Sequence, residues 1–241
     1  MARHDGRTED QLRPFQITRN FIDTAEGAVL VEAGRTRVLC TCSVVPGVPA
    51  WKRNSGEGWL TAEYAMLPGS VKGRKRRETG HRDGRSVEIQ RLIGRALRAV
   101  VDLRAFPDVT LSVDCDVLQA DGGTRCASIT GAMIALHDAC HALAQREKLR
   151  HWPLLDWAAA VSVGVVHGNE VLDLDYKEDS TADVDMNIIG TASGKLIEVQ
   201  GTAEGEPFPR ESCHKLIDLG MEGVLALTEM QQAAVAAGAP A

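Results

Sequence analysis

The chain has 241 residues, a mass of 26.0 kDa, 44% hydrophobic and 25% charged residues, and a formal net charge of −6. No apolar run approaches the roughly 20 residues that a membrane span requires, and the apolar fraction is too high for a disordered chain. Only ten residues are Phe, Trp or Tyr, too few for the broad base-stacking platform of a single-strand binder.

Met1 to Gly6 lacks the apolar stretch of a signal peptide, and the six cysteines at 40, 42, 115, 126, 140 and 213 have no framework spacing. A reducing, cytoplasmic setting is expected. The net charge hides an asymmetry: residues 70–104 hold eleven Lys or Arg against four Asp or Glu, and the remainder holds sixteen against twenty-nine. Lys72, Arg74, Lys75, Arg76 and Arg77 form a cluster opposed locally only by Glu78. Such a cluster repels itself unless it is solvated or bound to an anionic partner.

Pro14 to Asp23, Ala28 to Glu32 and Thr36 to Val45 alternate as strands of an antiparallel meander. Gly47 to Gly84, rich in Gly and Pro, reads as a long irregular loop. Apolar residues at 89, 92, 93, 96, 97, 100 and 103 then predict a helix with Ser86 as N-cap and Glu88 in its first turn. Val109 to Leu118 alternates as a strand, and Gln119 to Arg125 turns into a second helix with an apolar stripe from Ile129 to Leu143. After a break at His151-Trp152-Pro153, strands are expected at Ala158 to Val166, Val171 to Asp175, Val184 to Ile189 and Lys195 to Gly201, followed by a helix from Arg210 to Ala236. This order is α+β with largely antiparallel sheet and packed helices, in one domain over 1–241 whose tail is disordered from about 237. No alternating βαβ series suggests a dinucleotide-binding fold.

Several motifs are set aside. Gly190 to Leu196 is one residue short of a P-loop and reads as a hairpin turn, and Gly56-Glu57-Gly58 has Thr61 where a third glycine would stand. His137 and His141 have metal-ligand spacing on a helix but no acidic pair of the zincin kind. Cys40 and Cys42 share one face of a strand, where packing explains them.

Asp121-Gly122-Gly123-Thr124-Arg125 is more informative, because it places two glycines, a hydroxyl and an arginine between a strand and a helix. Unpaired helix-start amides and a guanidinium suit an anion; the alternative is an ordinary turn capped by Thr124. Gly84-Arg85-Ser86 repeats the pattern at the other arginine-rich helix start. Finally, Asp173, Asp175, Glu178, Asp179, Asp183 and Asp185 lie within thirteen residues. Most read as a solvated hairpin end, but Asp183 and Asp185 share a strand face and Asp179 could join them across a bend. That pair would hold Mg²⁺ or donate a proton in phosphoryl transfer.

At these residues the chain resembles the bacterial ribonuclease PH family. The resemblance runs from about residue 3 to 227 and rests on Arg3-His4-Asp5-Gly6-Arg7, Gly58 to Tyr64, Glu88 to Ile93, Asp114 to Thr130, Glu178-Asp179-Ser180 and Ile197 to Pro207. It implies the ribosomal protein S5 domain 2-like fold and a phosphorolytic 3′-to-5′ exoribonuclease of tRNA and rRNA processing. Such an enzyme is a tRNA nucleotidyltransferase that trims tRNA precursors, releases nucleoside diphosphates, runs in reverse and assembles as a homohexamer, a trimer of dimers. By the same resemblance, inorganic phosphate is held by Arg85, Gly123, Thr124 and Arg125. Mg²⁺ and catalysis fall to Asp179 and Asp185, and RNA binding to Lys72, Arg74, Lys75, Arg76 and Arg77. Gly69 stands where family members commonly carry Arg. Two other readings are a catalytically silent RNA-binding ring subunit of an exosome-like assembly and a hydrolytic metal-dependent nuclease.

Overall fold

The structure, a computed structural model, describes residues 3–79, 83–146 and 149–238. Five strands form the first sheet: β1 (Phe15–Arg19), β2 (Gly27–Ala33), β3 (Thr36–Pro46), β4 (Trp59–Met66) and β5 (Val109–Gln119), in the order β1-β2-β3-β5-β4. Every pairing is antiparallel except β4 with β5. The second sheet is antiparallel throughout, with β6 (Ala158–Val166), β7 (Asn169–Leu172), β8 (Val184–Thr191) and β9 (Leu196–Ala203) in the order β7-β6-β8-β9. Helix α1 (Gly84–Arg98) packs on β4, α2 (Thr124–Gln145) lies between the sheets, and α4 (Arg210–Ala236) covers the second sheet. A single turn, α3 (Tyr176–Asp179), follows β7. The expected α+β class is therefore observed.

The strands form where alternation predicts them, except that the strand expected at Val171 to Asp175 is Asn169–Leu172, its last three residues leaving the sheet for α3, which Asp175 caps. Val29, Val31, Val38, Cys40, Cys42, Leu111, Val113 and Cys115 all point inward and are fully buried, which gives Cys40 and Cys42 their packing role. Three further local expectations are corrected. Within the supposed loop Gly47–Gly84, Trp59–Met66 is a strand, with Leu60, Ala62 and Tyr64 buried in alternation. Gly58 immediately before it obscures this pattern, yet the period of two is complete. Helix α1 starts at Gly84 with Asp83 as N-cap, its carboxylate accepting from the Arg85 amide; Ser86 is buried inside the helix and its hydroxyl donates to Glu78 at 2.8 Å. The third concerns α2, which buries sixteen of its 22 residues instead of a single stripe. A helix enclosed by two sheets is apolar all round. Of the tail expected to be disordered from about 237, Ala237 and Gly238 directly follow α4, and 239–241 lie outside the described residues.

This enclosure requires a close approach. A Cβ at Gly27, on β2, would stand 1.9 Å from the carbonyl oxygen of Ala135 on α2. The obstacle is backbone, so no side chain can give way. Gly27→Ala should lower stability by about 3 kcal/mol, the upper end of overpacking costs, and denaturant unfolding at unchanged m-value would register it; a loss under about 0.5 kcal/mol would contradict this packing.

Candidate active site

A cavity of about 700 Å³ opens between the two halves of the fold. Arg85, Gly123, Thr124, Arg125, Asp179 and Asp185, six residues from three separate stretches of sequence, all line it, together with Lys72, Ser162, Tyr176 and Asn187.

One wall is the start of α2. Gly122 and Gly123 have φ of 76° and 65°, and Gly123 is the N-cap; this left-handed pair lets the chain leave β5 and enter the helix in one step. Thr124, the first helical residue, is thus not the cap. The first-turn amides of a helix have no intrahelical partner and favour an anion. The hydroxyls of Thr124 and buried Tyr64 lie 2.9 Å apart. Burial raises the Tyr64 pKa against the pull of that hydrogen bond and of nearby Arg85, Lys75 and Arg125. Arg125 donates to Gln200 Oε1 at 2.9 Å and to Glu88 Oε1 at 3.3 Å. Arg85 reaches the same cavity from the first turn of α1.

The opposite wall is acidic. Asp179 ends α3, and Asp185 is the second residue of β8. Burial raises the Asp185 pKa first and the charge of Asp179 raises it further, to about 6, although Arg125 and Arg85 pull it down. Asp179 is also raised, chiefly by burial. Asp185 therefore feels the charge of Asp179. Asp183 precedes the strand, is exposed and does not line the cavity.

The rest of the acidic run is not a solvated hairpin end. Asp173, Asp175 and Glu178 are buried, and arginines of the N-terminal segment claim two of them. Arg3 donates to both Glu178 oxygens at 2.7 and 2.6 Å, and Arg7 reaches Glu178 at 3.2 Å. Arg13 grips Asp173 through Nε at 3.0 Å and Nη2 at 2.7 Å, while its Nη1 donates to the Asp121 carbonyl at 2.7 Å. Asp175 caps α3 and forms a capping box with Glu178; the D-x-x-E spacing carries that signal in the sequence. The arginine clamp has no comparable signal, since its partners are 160 to 175 residues away.

Among the described residues, His4, Asp175 and Glu178 are the one cluster of three ligand types within 4.8 Å. Glu178 is already committed to two guanidiniums, and none of the three lines the cavity. His137 stacks on Trp157 and bonds Asp138, and His141 is exposed. In the basic segment, Lys72 lines the cavity and Arg74, Arg76 and Arg77 are exposed, whereas Lys75 forms ion pairs with Glu78 and Asp83, both at 3.1 Å.

A profile described as 3′ exoribonuclease family, domain 1, matches residues 11–141, and a second, for domain 2 of that family, matches residues 156–223. The chain belongs to the 3′ exoribonuclease family. Its fold agrees with solved relatives over 95% of the chain. Rrp46 from rice (Oryza sativa) aligns with a TM-score of 0.78 and 23% identity over 98% of its length. A structure described as an Archaeoglobus fulgidus exosome with RNA bound to the active site aligns at 0.79 and 26% over 92% of that chain. An archaeal exosome core aligns at 0.76 and 24% over 91% of that chain. In this family member, both family domains supply cavity residues: the first carries Arg85 and Arg125, the second Asp179 and Asp185.

Arg13 is the link between the two walls, tied at once to the turn before Gly122 and to the segment before α3. Removing its side chain leaves buried Asp173 with only the longer Arg7 contact at 3.8 Å and the backbone amide of residue 13 at 2.8 Å. Arg13→Ala should therefore cost about 3–5 kcal/mol in equilibrium unfolding; a loss within about 0.5 kcal/mol would show that the pair contributes nothing to the structure.

Proposed function

We propose that the chain is a phosphorolytic 3′-to-5′ exoribonuclease of the bacterial ribonuclease PH type, acting on tRNA precursors in the cytoplasm as a homohexameric ring. The observation that carries this reading is that one cavity is lined both by the start of α2 with two arginines and by a pair of carboxylates, Asp179 and Asp185. A hydrolase would need the carboxylates alone. Phosphorolysis needs both, because an inorganic phosphate must be brought against a phosphodiester. At about 4 Å and an effective dielectric near 20, each pair of unit negative charges repels by roughly 4 kcal/mol, and Arg85, Arg125 and the first amides of α2 offset that repulsion.

In the forward reaction an oxygen of the held phosphate attacks the phosphorus of the last phosphodiester in line. The bond from that phosphorus to the 3′ oxygen of the shortened RNA breaks, that oxygen takes up the proton that the attacking hydrogen phosphate gives up, and the terminal nucleotide leaves as a nucleoside diphosphate. Bond types are matched on both sides, so nucleotide addition from diphosphates is the reverse. Thr124, with its hydroxyl oriented by Tyr64, and the clamped Arg125 orient the attacking phosphate.

Asp179 and Asp185 fit a hard divalent cation, two oxygen donors whose mutual repulsion a cation relieves, and they would hold Mg²⁺. When bound, the ion offsets charge on the scissile phosphate. The silent-subunit reading is disfavoured because both arginines and both carboxylates stand at the cavity. The relative described with RNA in its active site supports an RNA substrate here, and the exosome neighbours support ring assembly.

Purified protein with a short labelled RNA should release nucleoside diphosphates only when phosphate is added; monophosphates without phosphate would establish a hydrolase, and no cleavage a silent subunit. Arg85→Ala and Arg125→Ala should each weaken phosphate use by about 2 kcal/mol, the worth of a charge-assisted hydrogen bond, and unchanged phosphate saturation curves would remove the assignment. Asp179→Asn and Asp185→Asn should abolish turnover and keep RNA binding, with wild-type rates in either as the contrary result. Neutralising Lys72, Arg74, Arg76 and Arg77 in an intact ring should lower the salt slope of tRNA binding by about 0.7 for each RNA phosphate that is no longer neutralised. Neutralising Lys75, already paired with Glu78 and Asp83, should leave the slope unchanged, and the reverse pattern would place the RNA-binding surface elsewhere.

A further inference from the structure

Tyr176 is not used by the chemistry described so far. In a chain with ten aromatic residues, Tyr176 is 64% exposed and yet lines the cavity. Two features fix its place. It opens α3, whose last residue is Asp179, so ring and carboxylate lie one helical turn apart. Its backbone is also pressed against the anion-binding turn: a Cβ at Gly122 would come within 2.7 Å of the Tyr176 amide nitrogen and 2.6 Å of the Asp175 carbonyl carbon. Tyr176 is thus an exposed ring in the cavity lining, on a backbone that packs against the Gly122–Gly123 turn and one helical turn from Asp179. Glu178, two residues on, is anchored by Arg3 and Arg7, which fixes the turn that presents it.

An exposed phenol ring gives little to folding, since the apolar area it leaves in water is area not buried. An exposed ring in the lining of a cavity that arginines and a lysine also line has the composition of a nucleobase site. Arg35, exposed in the β2–β3 turn, and Lys72 line the same cavity and supply charge for the adjoining backbone. The stacking is sequence-tolerant, as every base has a π face.

We propose that the Tyr176 ring stacks on a base within the last two nucleotides of the RNA 3′ end and so sets the scissile phosphodiester against Asp179 and Asp185. This rests on the phosphorolytic reading and adds to it a residue that positions substrate without handling phosphate. Tyr176→Ala should raise the KM for RNA about tenfold, the scale of one base–aromatic stack, and leave the KM for phosphate unchanged. Tyr176→Phe should behave as wild type, because the hydroxyl has no part in stacking.

The decisive comparison uses RNA whose last two nucleotides lack bases: on it, wild type and Tyr176→Ala should have equal KM. An equal penalty on RNA with and without those bases, a Tyr176→Ala enzyme matching wild type on ordinary RNA, or loss of the oligomer in gel filtration, which would make the ring part of a subunit interface, would each overturn the proposal. A second readout is independent of catalysis. 2-Aminopurine placed at either of the last two positions should be quenched on binding wild type without phosphate, and should recover emission in Tyr176→Ala at saturating protein. If wild type quenches the probe but never cleaves with phosphate, the functional reading fails while the stacking stands; cleavage with phosphate and no quenching at either position removes the stacking alone.

Discussion

A guanidinium with 5% of its side chain exposed cannot leave its charge unpaired, and Arg13 satisfies that constraint by joining two distant stretches of chain. Its bidentate grip on Asp173 fixes the segment leading into α3, and its bond to the Asp121 carbonyl fixes the turn leading into α2. Arg3 and Arg7 extend the same clamp to Glu178. Asp179 and the Gly122–Gly123 turn are thereby set on one frame, and the charges at the cavity are carried on backbone that has little freedom to move apart. The desolvation of three arginines and two carboxylates is a large cost, offset only because nearly every donor has a partner.

The cavity uses the opposite condition. Asp179 and Asp185 are half-buried, and among the described residues no arginine is hydrogen-bonded to either; burial raises the pKa of both, and the charge of Asp179 raises that of Asp185 further. Arg125 is held by Gln200 and Glu88 from the edges of two other elements, which aims it without neutralising it by a full bidentate pair. Paired carboxylates build the frame, and those that face the cavity have no ion pair among the described residues. That division within one acidic run sets Asp173 and Glu178, bonded to arginines, against Asp179 and Asp185, which line the cavity.

Alternation made most of both sheets readable, because one face of each strand is buried and a period of two then has a physical cause. It also held for β4, where Leu60, Ala62 and Tyr64 alternate, but Gly and Pro on both sides made the segment look like loop. Helix α2 shows a different limit: a helix covered on all sides has no polar face, so a stripe search finds only part of what is buried. The site residues of the two helix starts were legible from Gly and Arg at a strand-to-helix junction. Asp179 and Asp185 were legible as carboxylates, and their separation from Asp173 and Glu178 was not, since it depends on arginines at the other end of the chain. Tyr176 was equally silent, as its exposure follows from the packing of Gly122 on the start of α3.

The central claim, that one cavity holds an anion against Arg85, Arg125 and Thr124 and a divalent cation against Asp179 and Asp185, is tested most directly by crystals of the protein grown with phosphate and Mn²⁺ and measured at an energy where manganese scatters anomalously. Tetrahedral density touching the start of α2 and both guanidiniums is expected, with a manganese peak within coordinating distance of Asp179 and Asp185. Phosphate bound elsewhere with that turn empty, or manganese at His4, Asp175 and Glu178 in place of the cavity pair, would contradict it.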